Sequence, residues 1–282
     1  MSDIAVISSL EAVAARYDAL LCDAWGVIHD GVMLFPGVAD ALRRFRETRG
    51  PVIILTNAPR PSWVIPAQLD RIGLPRDCWD DIVTSGDATR AAIEARLPAP
   101  ACKLGPAKDD PLFEGLKIDF RPLEEAEFII CTGMKDDAHE TPDDYREFLK
   151  EAAAQRLPMI CANPDIVVNW GGRMIWCAGA LAEIYKDLGC EVIYGGKPYP
   201  PIYDLALKRI EELRGPTDRA RILAVGDGFK TDILGANDQK LDVLFIAGDG
   251  GVHEGARDAA AISKKLEEAG LSAIGAAEAL QW

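Results

Sequence analysis

Five short apolar runs, each ending in small or polar residues, limit the folds open to this chain more than any other feature. They are "LLCD" ending at Asp23, "VIILTN" at Asn57, "DIVTSGD" at Asp87, "RILAVGD" at Asp227 and "DVLFIAGDG" at Gly250. Such runs read as buried parallel strands. Between them lie helical patterns: "ADALRRFRETRG", which runs into Pro51, and "PPIYDLALKRIEELRGP", opened by prolines and stopped at Gly215-Pro216. Strand and helix in alternation predict an α/β fold, a doubly wound parallel sheet. In such sheets ligands gather at the carboxyl ends of the strands, so the polar run ends are the first site candidates.

A second set of runs, "EFIICTG" (Glu127 to Gly133) and "LPMICANPD" (Leu157 to Asp165), lies mid-chain with its own helical stretch, "TPDDYREFLKEAAAQR". If the first and last thirds share one sheet, the middle is an inserted α/β cap domain. The expected division is 1–85 plus 190–282 for the core and 86–189 for the cap, and 282 residues suffice for both.

Composition removes several function classes. A net charge of −14 opposes binding to nucleic acid or to anionic membrane surfaces, which demand clustered Lys and Arg. No apolar stretch is long enough to span a bilayer, and the N-terminus lacks the basic flank and cleavage pattern of an export signal. The expected location is the cytoplasm. Seven cysteines are spread singly, without CxxC pairs or zinc-like spacing to the three histidines, and read mostly as reduced core residues.

Four pieces carry chemistry, in this order: Asp23-Ala24-Trp25-Gly26-Val27, Thr56-Asn57, Gly196-Lys197-Pro198, and Gly226-Asp227-Gly228-Phe229-Lys230-Thr231-Asp232. Three sit at expected strand ends and the other follows the strand-like "CEVIYGG". Asp23 and Asp227 offer hard oxygen ligands for one Mg²⁺. Lys197 adds a fixed positive charge and Thr56 a hydroxyl, while backbone N–H groups of the loops around Ala24 and Asn57 suit phosphoryl oxygens. Asp23 is then free to attack phosphorus and form an aspartyl-phosphate that water hydrolyses.

These four ordered pieces resemble the motifs of the haloacid dehalogenase superfamily, and the resemblance covers essentially the whole chain. The cap between the second and third pieces, with "GGKPYPPIY", "GDGFKTDILGA" and "CANPD", is similar to the class IIA (NagD-type) branch of sugar and nucleotide phosphatases. The resemblance implies Asp23 as nucleophile, Thr56 and Lys197 as phosphoryl-binding groups and Asp227 as a direct Mg²⁺ ligand. Asp232 would be an outer-shell acid near the metal, and the backbone carbonyl of Trp25 a third protein contact to it. It further implies a small phosphorylated substrate and a homodimer formed through the cap.

One position departs from that pattern. Phosphatases of the superfamily carry a second Asp two residues after the nucleophile, as general acid and base, and here Trp25 stands there. Such a loss costs about 10²–10⁴-fold, most for alkyl phosphates and less for aryl or acyl ones. Trp25 is expected to form a wall against the cap. His29 is the neighbouring residue weighed as a substitute proton donor, against the reading of a hydrogen-bonded loop residue. Asn57, Arg60, Asn163 and Asp165 are each read two ways, as loop-formers or as site residues. Two rivals to the phosphatase stand beside it: a phospho-ligand-binding protein of the same fold with little turnover, and a phosphoryl transferase acting on good leaving groups.

Overall fold

The computed structural model describes residues 4–282. Its strands, in chain order, are β1 (Ala19–Cys22), β2 (Val52–Thr56), β3 (Asp81–Thr84), β4 (Ala101–Leu104), β5 (Phe128–Cys131), β6 (Met159–Cys161), β7 (Val167–Trp170), β8 (Arg173–Trp176), β9 (Val192–Tyr194), β10 (Ile222–Gly226), β11 (Asp242–Ile246) and β12 (Gly275–Ala277). They form three sheets. A six-stranded sheet runs β12-β11-β10-β1-β2-β3, a four-stranded sheet β4-β5-β6-β9, and β7 pairs with β8 as an antiparallel hairpin. Every pairing within the two larger sheets is parallel.

All five apolar runs lie in the six-stranded sheet, and their burial explains why they are apolar throughout. Successive side chains of a strand point to opposite faces. Leu20, Cys22, Val52, Ile54, Leu223 and Val225 enter one core, while Ala19, Leu21, Ile53, Leu55, Ile222 and Ala224 enter the other. Helices cover both faces: Val38–Thr48 sends Ala41, Leu42 and Phe45 into the first core, and Pro200–Arg214 sends Ile202, Tyr203, Ala206 and Ile210 into the second. The four-stranded sheet repeats the arrangement on a smaller scale. Ile129, Cys131 and Met159 face one core, and Phe128, Ile130 and Ile160 the other. Its last strand, β9, begins beyond residue 189, so the chain leaves this sheet only after Tyr194.

The order β10-β1-β2 places the site. β1 precedes both neighbours in the chain and is flanked by one on each side, which makes its carboxyl end a topological switch point. Cys22 is level with Val225 on one side and Ile54 on the other. The residues that follow these three strand ends therefore converge.

The cysteines are all free, six of them buried. Among the described residues no helix is long and apolar enough to cross a membrane.

Candidate active site

Asp23 leaves β1, Asp227 leaves β10, and Lys197 arrives on the loop that returns from β9. Lys197 Nζ stands 2.6 Å from Asp23 Oδ1 and 2.7 Å from Asp232 Oδ1, with its side chain only 3% exposed. Oxygen atoms of Asp23, Asp227 and Asp232 all lie within 4.8 Å of one another. Three carboxylates and one ammonium leave a net charge of about −2 if all are ionised.

The protonation behaviour follows from that imbalance. Burial, then the charge of Asp232, pushes the Asp23 carboxyl well above its usual range, and Lys197 opposes the shift. Asp227 is pushed up to about 7, again by burial first and Asp232 second. For Lys197 burial alone would lower the value, but Asp23 and Asp232 outweigh it and hold the ammonium firmly charged. Buried carboxylates with a surplus of negative charge and hard oxygen donors are the surroundings a divalent cation requires. Asp23, Asp227 and Asp232 thus fit one as a donor set.

Local backbone geometry builds this cluster. Gly26 has φ +77°, and a Cβ there would come within 2.3 Å of Asp227 Oδ2. A glycine is therefore needed both for the turn and for the carboxylate behind it. Asp227 Oδ2 also accepts a hydrogen bond from the Val252 N–H. Asp232 rides on a π-helical turn, Phe229–Ile233, directly after β10, an irregularity frequent at functional sites. Its Oδ2 accepts from the Gly228 N–H at 3.1 Å and the Thr231 hydroxyl at 3.2 Å.

Asn57 ties three segments together. Its Oδ1 accepts from the Lys197 N–H at 2.7 Å, and its Nδ2 donates to the Lys197 carbonyl at 3.2 Å and to Asp165 Oδ1 at 2.8 Å. Thr56 is buried at the end of β2, where its hydroxyl accepts from the Ala58 N–H at 3.3 Å. The Ala24 carbonyl accepts from the N–H groups of Ile28 and His29, closing a tight turn after the strand. Asp23, Trp25, Asp227 and Asp232 line a cavity of about 480 Å³, whereas Ala24, Thr56, Asn57 and Lys197 do not form its wall.

Trp25 lines both this cavity and a second one. A Cβ on Gly31 would lie 2.5 Å from both the Trp25 ring and Trp170 of β7, so the flap after β1 presses the indole close to the cap hairpin. His29 lies behind Trp25, ring centroids 5.0 Å apart, edge to face. It is 1% exposed, lines neither cavity, and its Nδ1 accepts from the Gly31 N–H at 2.9 Å. Burial pushes it down to about 4, which favours the neutral ring, and its place behind Trp25 fits the hydrogen-bonded loop residue of the two readings. The titratable cap group at the junction of the two cavities is Asp165, pushed up to about 6 by burial.

Of the residues read two ways, Asn163 does form a turn, its Oδ1 accepting from the Asp165 N–H at 3.0 Å, while Asp165 reaches across to Asn57. Arg60 lines the second cavity. The N–H of Val252 escaped the sequence reading, because the loop after β11 that carries it holds no side chain of the four motifs.

A doubly wound sheet with an inserted parallel sheet, and a carboxylate–lysine cluster at its switch point, define an α/β protein with a buried acidic site suited to a divalent cation. Comparison with known proteins supplies the rest. A haloacid dehalogenase-like hydrolase model matches residues 20–108 and a HAD-hydrolase-like model residues 194–269. A crystal structure of a haloacid dehalogenase-like family hydrolase from Brucella suis 1330 superposes with a TM-score of 0.89 at 41% identity, covering 97% of this chain and 99% of that one. The ribonucleotide monophosphatase NagD of Escherichia coli K12 is 28% identical over 236 residues, 80% of this chain and 86% of NagD. A possible sugar phosphatase of the same superfamily from Cytophaga hutchinsonii shares the fold at 22% identity, with a TM-score of 0.78 and 97% of each chain covered. The chain belongs to the haloacid dehalogenase-like hydrolase family.

Proposed function

We propose that the protein is a Mg²⁺-dependent phosphatase of small phosphorylated metabolites, working through an aspartyl-phosphate on Asp23. The observation that carries this reading is the Lys197 ammonium held between Asp23 and Asp232, 2.6 and 2.7 Å away, with Asp227 in the same buried cluster. In this reading Asp23 and Asp227, with the Trp25 carbonyl, would hold Mg²⁺, and Asp232 would stand in its outer shell. The bound ion supplies positive charge against the phosphoryl oxygens.

The protein's own groups do the remainder. A nucleophilic carboxylate must be ionised, and Lys197 favours that state against the effect of burial. Lys197 takes Asp23 Oδ1, which leaves Oδ2 to form the bond to phosphorus. The bond from phosphorus to the leaving oxygen breaks, and that oxygen departs with the electron pair. Water then attacks phosphorus, gives up its proton to solvent, and frees Asp23 and inorganic phosphate. Thr56, Asn57 and the N–H groups around Ala24 and Trp25 are assigned to the phosphoryl oxygens, which requires the loops to shift as substrate enters. The inserted segment, which runs past residue 189 to the end of β9 at Tyr194, acts as a cap that excludes water from the core.

The names of the relatives support a phosphorylated substrate of the nucleotide or sugar phosphate class. A cytoplasmic homodimer completes the proposal, and light scattering at two concentrations tests the assembly. Trp25, standing where the resemblance expects an acid, favours the rival of a phospho-ligand binder with little turnover, or a phosphoryl transferase. Phosphate release from graded aryl, acyl and alkyl phosphates decides, measured with Mg²⁺, with chelator, and in Asp23→Asn. Turnover that needs the ion, vanishes in the variant and falls steeply as the leaving group worsens supports the phosphatase. No turnover above the variant favours the binder.

A further inference from the structure

The cap sends one carboxylate across to the core. Asp165 lies past the end of β6, on the carboxyl side of the four-stranded sheet, as Asp23 lies past β1 in the larger one. Its backbone is fixed from two sides. The Asp165 N–H donates to Asn163 Oδ1 at 3.0 Å, and its carbonyl accepts from the Gly179 N–H at 3.1 Å, so closely packed that a Cβ on Gly179 would come within 2.5 Å of that carbonyl. The side chain is carried to Asn57, whose Nδ2 donates to Oδ1 at 2.8 Å, while Oδ2 accepts no hydrogen bond among the described residues. Asp165 lines the same cavity as Asp23, Asp227 and Asp232. In an in-line displacement the attacking and leaving oxygens stand on opposite sides of phosphorus. With Asp23 rising from the core sheet, the leaving oxygen is turned towards the cap.

We propose that Asp165 is the catalytic acid of this protein, its free Oδ2 carrying the proton that the leaving oxygen takes, in place of the acid whose position Trp25 occupies. The proposal rests on the phosphatase reading and adds a residue to it. As the bond from phosphorus to the leaving oxygen breaks, the electron pair goes to that oxygen and the proton passes to it from Oδ2. Asp165 is left ionised and recovers a proton from solvent, to which the attacking water gives up its own. The surroundings suit the task. Burial pushes the carboxyl up to about 6, against Lys197 and the Asn57 amide and with Asp232, which brings it near the working range of an acid at neutral pH. Asp227 and the thiols of Cys161 and Cys177 are the other titratable groups that feel its charge. Other donors in the cavity lining fit less well. Glu183 and Lys230 are exposed, and burial raises the phenols of Tyr194 and Tyr199, which makes them weaker acids.

The test compares acetyl phosphate, p-nitrophenyl phosphate and glycerol phosphate, whose leaving groups need a proton increasingly in that order. kcat/KM is measured with Mg²⁺ in the native protein, Asp165→Asn and Glu183→Gln. An asparagine keeps an oxygen for the Asn57 amide but has no acidic proton to deliver. Asp165→Asn is expected to lower kcat/KM for glycerol phosphate by about 10²-fold or more and to leave acetyl phosphate nearly unchanged, while Glu183→Gln changes neither. The native protein is expected to slow in heavy water on glycerol phosphate and not on acetyl phosphate, a readout that needs no variant to fold. An equal loss on all three substrates makes Asp165 a support for Asn57 and overturns the proposal. So does no loss in Asp165→Asn, a selective loss in Glu183→Gln, a native protein that leaves glycerol phosphate intact, or glycerol phosphate turnover indifferent to heavy water. In those cases Mg²⁺- and Asp23-dependent hydrolysis of acetyl phosphate shows that the phosphatase reading stands. If acetyl phosphate and both esters resist hydrolysis, the reading falls and the role of Asp165 with it.

Discussion

Lys197 is the residue on which the cluster's charge depends. Removing one partner of a buried ion pair leaves charge without compensation and costs about 3–5 kcal/mol. Lys197→Met should therefore lower stability by that order in metal-free buffer at neutral pH, read from urea unfolding, and abolish turnover. A variant as stable as the native protein would contradict the charge balance drawn here. His29 gives a second prediction. Between its ordinary value near 6.5 and about 4 the unfolded chain takes up a proton at this site and the folded chain does not. Its contribution to stability is thus present above about pH 6.5 and lost as the solution is acidified towards pH 4. Relative to native, His29→Gln should flatten the loss over that range by on the order of 1–3 kcal/mol, measured as urea midpoints at pH 7 and 4.5.

At the scale of elements, the legible parts were those whose physics is local. A strand buried on both faces is built mainly from apolar residues, so β1, β2, β3, β10 and β11 stood out, and the polar residues at or just past their ends marked Asp23, Thr56 and Asp227. The hairpin β7–β8 was not read, because its residues are mostly half-buried or exposed and carry no such run. The strand β9 is three residues long, half-buried, and was placed at the edge of the cap only by its pairing with β6. The Asn57–Asp165 bond joins residues 108 apart and has no local signature. The turn after β1 offers an element-scale test. Gly26→Ala would drive a methyl group into Asp227 and oppose the positive φ. Calorimetric titration with Mg²⁺ should show affinity reduced at least about 10-fold, the equivalent of one displaced charged contact, while circular dichroism stays native. Unchanged affinity would separate Asp227 from the ion.

The whole molecule divides its labour between two parallel sheets: the six-stranded one carries the carboxylates, Lys197 arrives on the loop that returns from β9 of the other, and both sides wall the adjoining cavity. Contacts hold them together next to the site: the Gly171 N–H donates to the Asp30 carbonyl at 3.0 Å, and Asn169 Nδ2 to the Asp249 carbonyl at 3.3 Å. The cap hairpin thus rests on the two loops that flank Asp23 and Asp227. The proposed function requires a covalent phosphoryl group on Asp23. The protein, mixed with Mg²⁺ and an aryl phosphate and quenched in acid during turnover, would be digested and its peptides weighed. The account predicts one phosphoryl group on the peptide that contains Asp23, absent in Asp23→Asn. Turnover without any phosphorylated peptide, or with the group on another residue, would contradict it.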